Sequence, residues 1–277
     1  MALTSMYDLL KIAKSKNYII GAFNTYNLEM SLAITDAAKE YKYPIIMQIS
    51  PHGMMLSGYE YMGNIMKTCA NSTDAPMCIH LDHGKSLDDV KKAVQSGFNS
   101  VMIDGSTLPF EQNIELTKKT VEYCHPLGIS VEAELGMITG KEDFQSQDKL
   151  CVTDYRLVKQ FCKESGCDLL AVSIGNVHGL NKKAKIDLEL LKKIHSQTET
   201  PLVIHGGSGI PAETLRKFKQ YGVMKLNISS DLQKAFISTV GEIYQNNKNE
   251  YSIMSVSTKA KENIKKVVID KFQSLYV

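Results

Sequence analysis

Three histidines, His83, His178 and His205, each close an apolar run with the make-up of a β-strand, in IHLDHG, LLAVSIGNVHG and PLVIHGG. Asp82 stands immediately before the first of them. Neutral imidazole is a nitrogen ligand for Zn²⁺, and a catalytic zinc site combines three protein ligands with one open position for substrate. A single histidine is more often structural or solvent-facing than a ligand. Three at equivalent strand ends, with a carboxylate beside one, are the layout of a catalytic divalent-metal site.

Such a site needs strands that all end at one place. The chain alternates short β-rich runs with amphipathic stretches, the pattern of βα units and a parallel sheet. Eight strands are predicted, over residues 18–23, 45–50, 77–82, 100–104, 130–135, 169–174, 201–205 and 223–228. The stretches between them open with cap candidates and close near glycine, as where Ser86 has Asp89 three residues on and Gly97 follows. Eight alternations with no Pro/Gly/Ser-rich linker predict a single α/β domain over 1–277, a (β/α)8 TIM barrel with an additional C-terminal helix over about 255–275. Residues 136–152, polar and led by a glycine, are read as a long loop or lid over the barrel mouth.

Other groups fall at the same predicted rim. Asp104 ends the fourth strand, and Glu132 and Glu134 share one face of the fifth, as candidates for a second metal position or acid/base work; the competing reading is a buried pair satisfied by lysine or backbone donors. His80 lies two residues before Asp82 on the same face of the pleat, placed to orient Asp82 or a ligand. His52, His125 and His195 fall outside the strand pattern and read as structural. Gly179, Gly206, Gly207 and Ser208 follow two of the histidines, and Asn227, Ser229 and Ser230 lead from the last strand into a helix. Small residues let backbone N–H groups approach an anion, and the loops after strands seven and eight are the usual phosphate site of a barrel.

Composition limits the partners. The chain of 277 residues is 43% hydrophobic and 22% charged with net charge +2, and no block of one sign suggests a nucleic-acid stripe. The first residues lack a signal-type apolar centre, and nothing approaches the roughly 18 apolar residues of a membrane span, so a cytoplasmic protein without nucleic-acid or membrane partners is expected. Six scattered cysteines contain no CxxC pair, which offers neither a zinc knuckle nor a dithiol motif.

The ordered set IHLDHG, MIDGS, SVEAELG, SIGNVHGL, VIHGGSGIP and KLNISSD resembles the class II, metal-dependent ketose-bisphosphate aldolases, which include the fructose- and tagatose-bisphosphate enzymes. The resemblance covers residues from about 4 to about 245. It implies that His83, His178 and His205 bind catalytic Zn²⁺ and that Asp104 and Glu134 line an alternative metal position. By the same resemblance Asp82 exchanges a proton with the C4 hydroxyl during C3–C4 cleavage, and Glu142 moves the C3 proton. Asn24 and Ser50 would touch the enediolate or its hydroxyls, while Gly179, Gly206, Ser208, Asn227 and Ser230 would hold the 1-phosphate with help from Lys182. A monovalent cation shares that loop region in some members, and a homodimer or homotetramer is expected.

Retro-aldol cleavage leaves a carbanion beside a ketone, and a metal spreads that charge as an enediolate. A Schiff-base lysine is then not required, and Lys225 acting as one would leave the histidines unexplained. Fructose 1,6-bisphosphate is the favoured substrate; tagatose 1,6-bisphosphate or another phosphorylated ketose is the alternative. Gly84 after DH resembles fructose-type members, whereas Ser229 occupies the place of a residue that helps separate the two sugars. The aldehyde-side phosphate has no arginine near the C-terminus, only Lys259, Lys261, Lys265 and Lys266. A non-catalytic sugar-phosphate-binding barrel would be expected to lack some of these ligands or acid/base groups.

Overall fold

The computed structural model describes residues 3–142, 145–147, 151–180 and 185–277, with side chains left undescribed over 139–147. Eight strands are almost entirely buried because both their faces are covered: β1 (Ile20–Asn24), β2 (Ile45–Ile49), β3 (Met77–Gly84), β4 (Ser100–Ile103), β5 (Ser130–Leu135), β8 (Leu169–Val172), β10 (Leu202–Ile204) and β11 (Val223–Ile228). They pair in parallel and close into a barrel in the order β1-β11-β10-β8-β5-β4-β3-β2. The helices α1 (Met6–Lys16), α2 (Leu28–Tyr41), α3 (Gly58–Asn71), α4 (Leu87–Gln95), α5 (Phe110–Cys124), α6 (Tyr155–Ser165), α7 (Leu188–His195), α8 (Ala212–Phe218), α9 (Ser230–Asn246) and α10 (Ile253–Leu275) complete the expected TIM-barrel fold. None of the described helices is long and apolar enough to cross a membrane.

Period-2 alternation sorts the strand residues into two cores. Outward side chains such as Phe23, Met47, Ile79, Val101, Val131 and Leu226 pack under the helices. Inward side chains at the N-terminal end of the barrel, Ile20, Ala22, Ile46, Cys78, Met102, Leu169, Ala171 and Val203, form a second apolar cluster. Helix α1 plugs that end with Met6, Leu9 and Ala13, its start capped by the Ser5 hydroxyl accepting from the Asp8 amide. One layer higher the inward residues turn polar: Asn24, Gln48, His80, Asp82, Glu132, Glu134, His205, Lys225 and Asn227, all buried.

The predicted strands match the observed ones to within about two residues, with three differences. β3 runs on through His83 to Gly84. β8 stops at Val172, so His178 does not close a barrel strand. Gly175 turns the chain at φ 90°, and the Asn176 side chain accepts from the Ile174 amide at 2.8 Å, a local turn that ends the strand. His178 lies instead on β9 (Val177–His178), and the segment read as an irregular lid carries β6 (Thr139–Glu142) and β7 (Gln145–Gln147). These three form a separate sheet in the order β7-β6-β9.

The C-terminal helix closes the outer layer. Its Phe272 and Tyr276 pack edge-on at 5.2 Å and meet Tyr43 at 5.4 and 4.5 Å. The buried Tyr276 hydroxyl donates to the Pro44 carbonyl at 2.5 Å and accepts from the Gly21 amide at 3.0 Å, tying α10 to β1 and to the entry of β2. Tyr276→Phe strands both buried backbone groups and should lower unfolding free energy by about 1–3 kcal/mol. Urea unfolding measures this; a variant as stable as the parent would show that neither bond contributes.

Candidate active site

Asp82 and His83 are consecutive, yet both belong to the barrel mouth, which strict strand alternation forbids. The conflict is resolved by the backbone: His83 has φ 47°, and the β3–β4 register shifts between Leu81 and Gly84. That kink costs conformational energy in a non-glycine residue. Asp82 is fully buried and its carboxylate accepts three side-chain amides, from Asn24 at 3.0 Å, Gln48 at 3.1 Å and Asn227 at 3.0 Å. Gln48 also donates to Asn24 Oδ1 at 2.8 Å, which fixes the orientation of the Asn24 amide.

His83 and His205 are each oriented from behind. His83 Nδ1 lies 2.9 Å from Asp104 Oδ2, and His205 Nε2 lies 2.9 Å from Glu132 Oε1. Carboxylates accept, so these two ring nitrogens carry the protons. The opposite nitrogens, His83 Nε2 and His205 Nδ1, are then lone pairs that face each other at 2.9 Å. The ring of His178 is 5.5 Å from that of His83 and 6.0 Å from that of His205, and one nitrogen from each of the three falls within 4.8 Å of the others. Convergent neutral nitrogens held by carboxylates behind them fit a divalent metal. Gly206, at φ 72°, directly follows His205; a Cβ there would strike the Val177 carbonyl, so glycine lets the two histidine-bearing loops touch.

A second group, His83, Asp104 and Glu134, also brings one ligand atom from each residue within 4.8 Å of the others, close enough to hold a metal ion. Burial pushes Asp104 up, but the hydrogen bond from His83 and the ammonium of Lys85, whose Nζ is 2.5 Å away, outweigh it and hold the carboxyl well below its usual range. Glu134 behaves oppositely. Burial first and repulsion by Asp104 second push it well above the usual range, and its Oε2 has no hydrogen-bond partner. Glu132, buried to a similar degree, is held low because the Lys225 ammonium, His205 and His80 overcome burial.

The loops after β10 and β11 are joined. The Ser208 hydroxyl accepts from the Asp231 amide at 3.2 Å, inside the first turn of α9. Lys271 of α10 braces both, 2.8 Å from Asp231 and 3.4 Å from the Gly207 carbonyl. Ser230 opens α9, and Gly179 follows His178 at φ 96°. The Ser229 hydroxyl is within 3.0 Å of the Tyr26 hydroxyl and accepts from Gln233 at 2.9 Å. Ser50 is buried just past β2, where its hydroxyl accepts from the Gly53 amide at 3.2 Å. Glu142 ends β6, whose Gly140 pairs with His178, so this strand is registered against a histidine of the trio; the Glu142 side chain and Lys182 lie outside the described residues.

Some sequence expectations need amendment. His80 does not orient Asp82: its Nδ1 meets Ser100 at 2.8 Å and its Nε2 faces Glu132 at 3.6 Å, because the pleat points both toward the barrel axis at different heights. Lys259, Lys261 and Lys265 are engaged on the outer helical layer by Glu262, Asp36 and Glu40. Sequence reading missed Gln48, Lys85 and the partners of Lys225; the only signals were a glutamine inside IIMQIS and a lysine after DHG.

A closed parallel barrel with this polar rim is a barrel enzyme with a metal-competent centre. Residues 4–276 match the family model described as fructose-bisphosphate aldolase class-II. The fructose-bisphosphate aldolase of Staphylococcus epidermidis is 37% identical over 277 residues, spanning 99% of this chain and 97% of that protein. The corresponding Geobacillus stearothermophilus protein is 37% identical, spanning 99% and 96%. Among solved structures, the YdjI aldolase of Escherichia coli K12 superposes with TM-score 0.86 at 31% identity, covering 99% of this chain and 97% of that one. A fructose-1,6-bisphosphate aldolase described as putative, from Coccidioides immitis, gives 0.88 at 26%, covering 98% and 96%. The chain belongs to the class-II fructose-bisphosphate aldolase family. It is an aldolase, a carbon–carbon lyase of a family that acts on phosphorylated sugars and is generally zinc-dependent.

The raised Glu134 carboxyl has a consequence for the metal-free protein. An unfolded glutamate releases its proton near about pH 4.3, whereas the folded protein retains it to higher pH. Above that value rising pH therefore favours unfolding, until the folded carboxyl also ionises. Glu134→Gln should be more stable than the parent at about pH 8, with the gap closing toward about pH 4. Urea midpoints across that range decide; parallel curves would mean that Glu134 ionises normally.

Proposed function

We propose that this enzyme reversibly cleaves fructose 1,6-bisphosphate into dihydroxyacetone phosphate and glyceraldehyde 3-phosphate. The observation that carries the reading is Asp82, held rigid by three amides and adjacent in sequence to His83 of the imidazole trio. Retro-aldol chemistry needs this pairing, because a base must take the C4 hydroxyl proton next to a site that withdraws charge from the ketose. The curated relatives named as fructose-bisphosphate aldolases support the choice of sugar.

His83, His178 and His205 would hold the divalent metal, Zn²⁺, which when bound acts as a Lewis acid on the substrate oxygens. Asp82 takes the C4 hydroxyl proton as the C3–C4 bond breaks and the electron pair passes to C3. Glu142 then delivers a proton to C3, which completes dihydroxyacetone phosphate. Asn24 fixes Asp82, and Asn24 and Ser50 accept or donate to the ketose hydroxyls. Gly179, Gly206, Ser208, Asn227 and Ser230, with Lys182, bind the 1-phosphate through backbone amides, hydroxyls and one charge. Ser229 sits beside them and takes part in separating the C4 epimers through Tyr26 and Gln233.

Asp104 and Glu134 offer a second cation position in which Lys85 competes for Asp104, and a monovalent cation would sit near the phosphate loop. The chain acts as one barrel domain in a cytoplasmic homodimer or homotetramer.

EDTA should abolish cleavage of fructose 1,6-bisphosphate and Zn²⁺ should restore it. Asp82→Ala should lower kcat by about 10²–10⁴-fold with zinc content unchanged. Rates on fructose and tagatose 1,6-bisphosphate, measured side by side, test the sugar. A zinc-loaded protein that cleaves only the tagatose epimer, or neither, overturns the assignment.

A further inference from the structure

Lys225 is fully buried inside the barrel, and neither metal binding nor proton transfer uses it. Its Nζ donates to Asn227 Oδ1 at 2.6 Å and stands 2.9 Å from Glu132 Oε2, an ion pair without a directed hydrogen bond. Each of these two partners has a second commitment. Glu132 turns its other oxygen, Oε1, to His205 Nε2 at 2.9 Å. Asn227 turns its Nδ2 to Asp82 Oδ1 at 3.0 Å. His80 is a further neighbour, its Nε2 3.6 Å from Glu132 and without a hydrogen-bond partner.

A lysine ammonium has three donors and no acceptor. Whatever faces it must therefore accept. An Asn227 amide turned the other way would aim its NH₂ at the ammonium and its carbonyl at Asp82, two repulsive contacts in place of two attractive ones. A Glu132 drawn to the same ammonium presents an acceptor to His205 and so selects the ring form protonated at Nε2, with Nδ1 free to bind metal.

We propose that Lys225 is a positioning residue that serves both halves of the centre, fixing the His205 tautomer through Glu132 and the orientation of Asp82 through Asn227. The lysine forms no bond to substrate. It makes two separate elements of the reaction, a metal ligand and a base, depend on one cation. This inference rests on the assignment of His205 as a metal ligand; it does not depend on which ketose is cleaved.

The test uses the full-length protein. Lys225→Met alone leaves Glu132 buried without its cation and is strongly destabilising, so the informative variant is Lys225→Met/Glu132→Gln, which removes both charges. It is read against Glu132→Gln alone, in which the ammonium still draws the carbonyl of the new amide and turns its NH₂ toward His205. Imidazole ¹⁵N shifts of His205 in the metal-free protein are expected to report protonation at Nε2 in the parent and a mixture of tautomers in the double variant. Zn²⁺ affinity, from chelator competition, is expected to fall by about 10–100-fold. A parent His205 protonated at Nδ1 overturns the proposal. So does a folded double variant whose tautomer and Zn²⁺ affinity match those of Glu132→Gln alone, so that removing Lys225 changes nothing but the unfolding midpoint. If both readouts move as expected while the parent fails to cleave fructose 1,6-bisphosphate, the substrate assignment fails and the role of Lys225 stands.

Discussion

Closure of the parallel sheet is the constraint on which the rest depends. A closed barrel of parallel strands ends every strand at one rim and points alternate side chains at one axis. Residues as far apart in sequence as Asn24, Asp82, Glu132, His205 and Asn227 therefore meet without any long-range motif to bring them together. The same closure removes sheet edges and leaves the strands buried on both faces. It also divides the interior by height. The apolar layer around Ile20, Cys78 and Val203, sealed below by α1, supplies burial, and the polar layer above it supplies chemistry.

Placing that many ionisable groups in a dry interior is costly unless each is paired. The solution is two series that converge at the histidines: Lys225 to Glu132 to His205, and Lys85 to Asp104 to His83. A lysine sits at each end, and the lone pairs of His83 and His205 meet in the middle. Glu134 is the exception, a carboxyl without a cation of its own whose proton affinity is raised. The contrast between Glu132 and Glu134, two residues apart on one strand, shows that a nearby ammonium rather than depth of burial decides which carboxylate stays charged.

Two departures from regular structure complete the centre. The left-handed backbone at His83 lets neighbours in sequence share the rim, and the turn at Gly175–Asn176 takes His178 off the barrel onto β9. Asn176 donates to the His205 carbonyl at 3.1 Å, so the turn that releases one histidine is tied to another. Because β9 also pairs with β6, the segment after β5 is attached to the histidine trio through backbone register.

Much of this was legible in the residues alone. Eight β-rich runs separated by capped amphipathic segments determine a parallel α/β barrel, because hydrophobic period and cap chemistry are local properties. The rim histidines and carboxylates are legible for the same reason, each standing at the end of an apolar run. The β6, β7 and β9 sheet was not, since its strands are short and polar and exist only through pairing with one another. Nor were the roles of Gln48, Lys85 and Lys225, each a lone polar residue in or beside an apolar run. What such a residue does depends on which side chain faces it across the barrel, 82, 104 or 132, and that pairing is set by strand order and register, which only closure of the barrel decides.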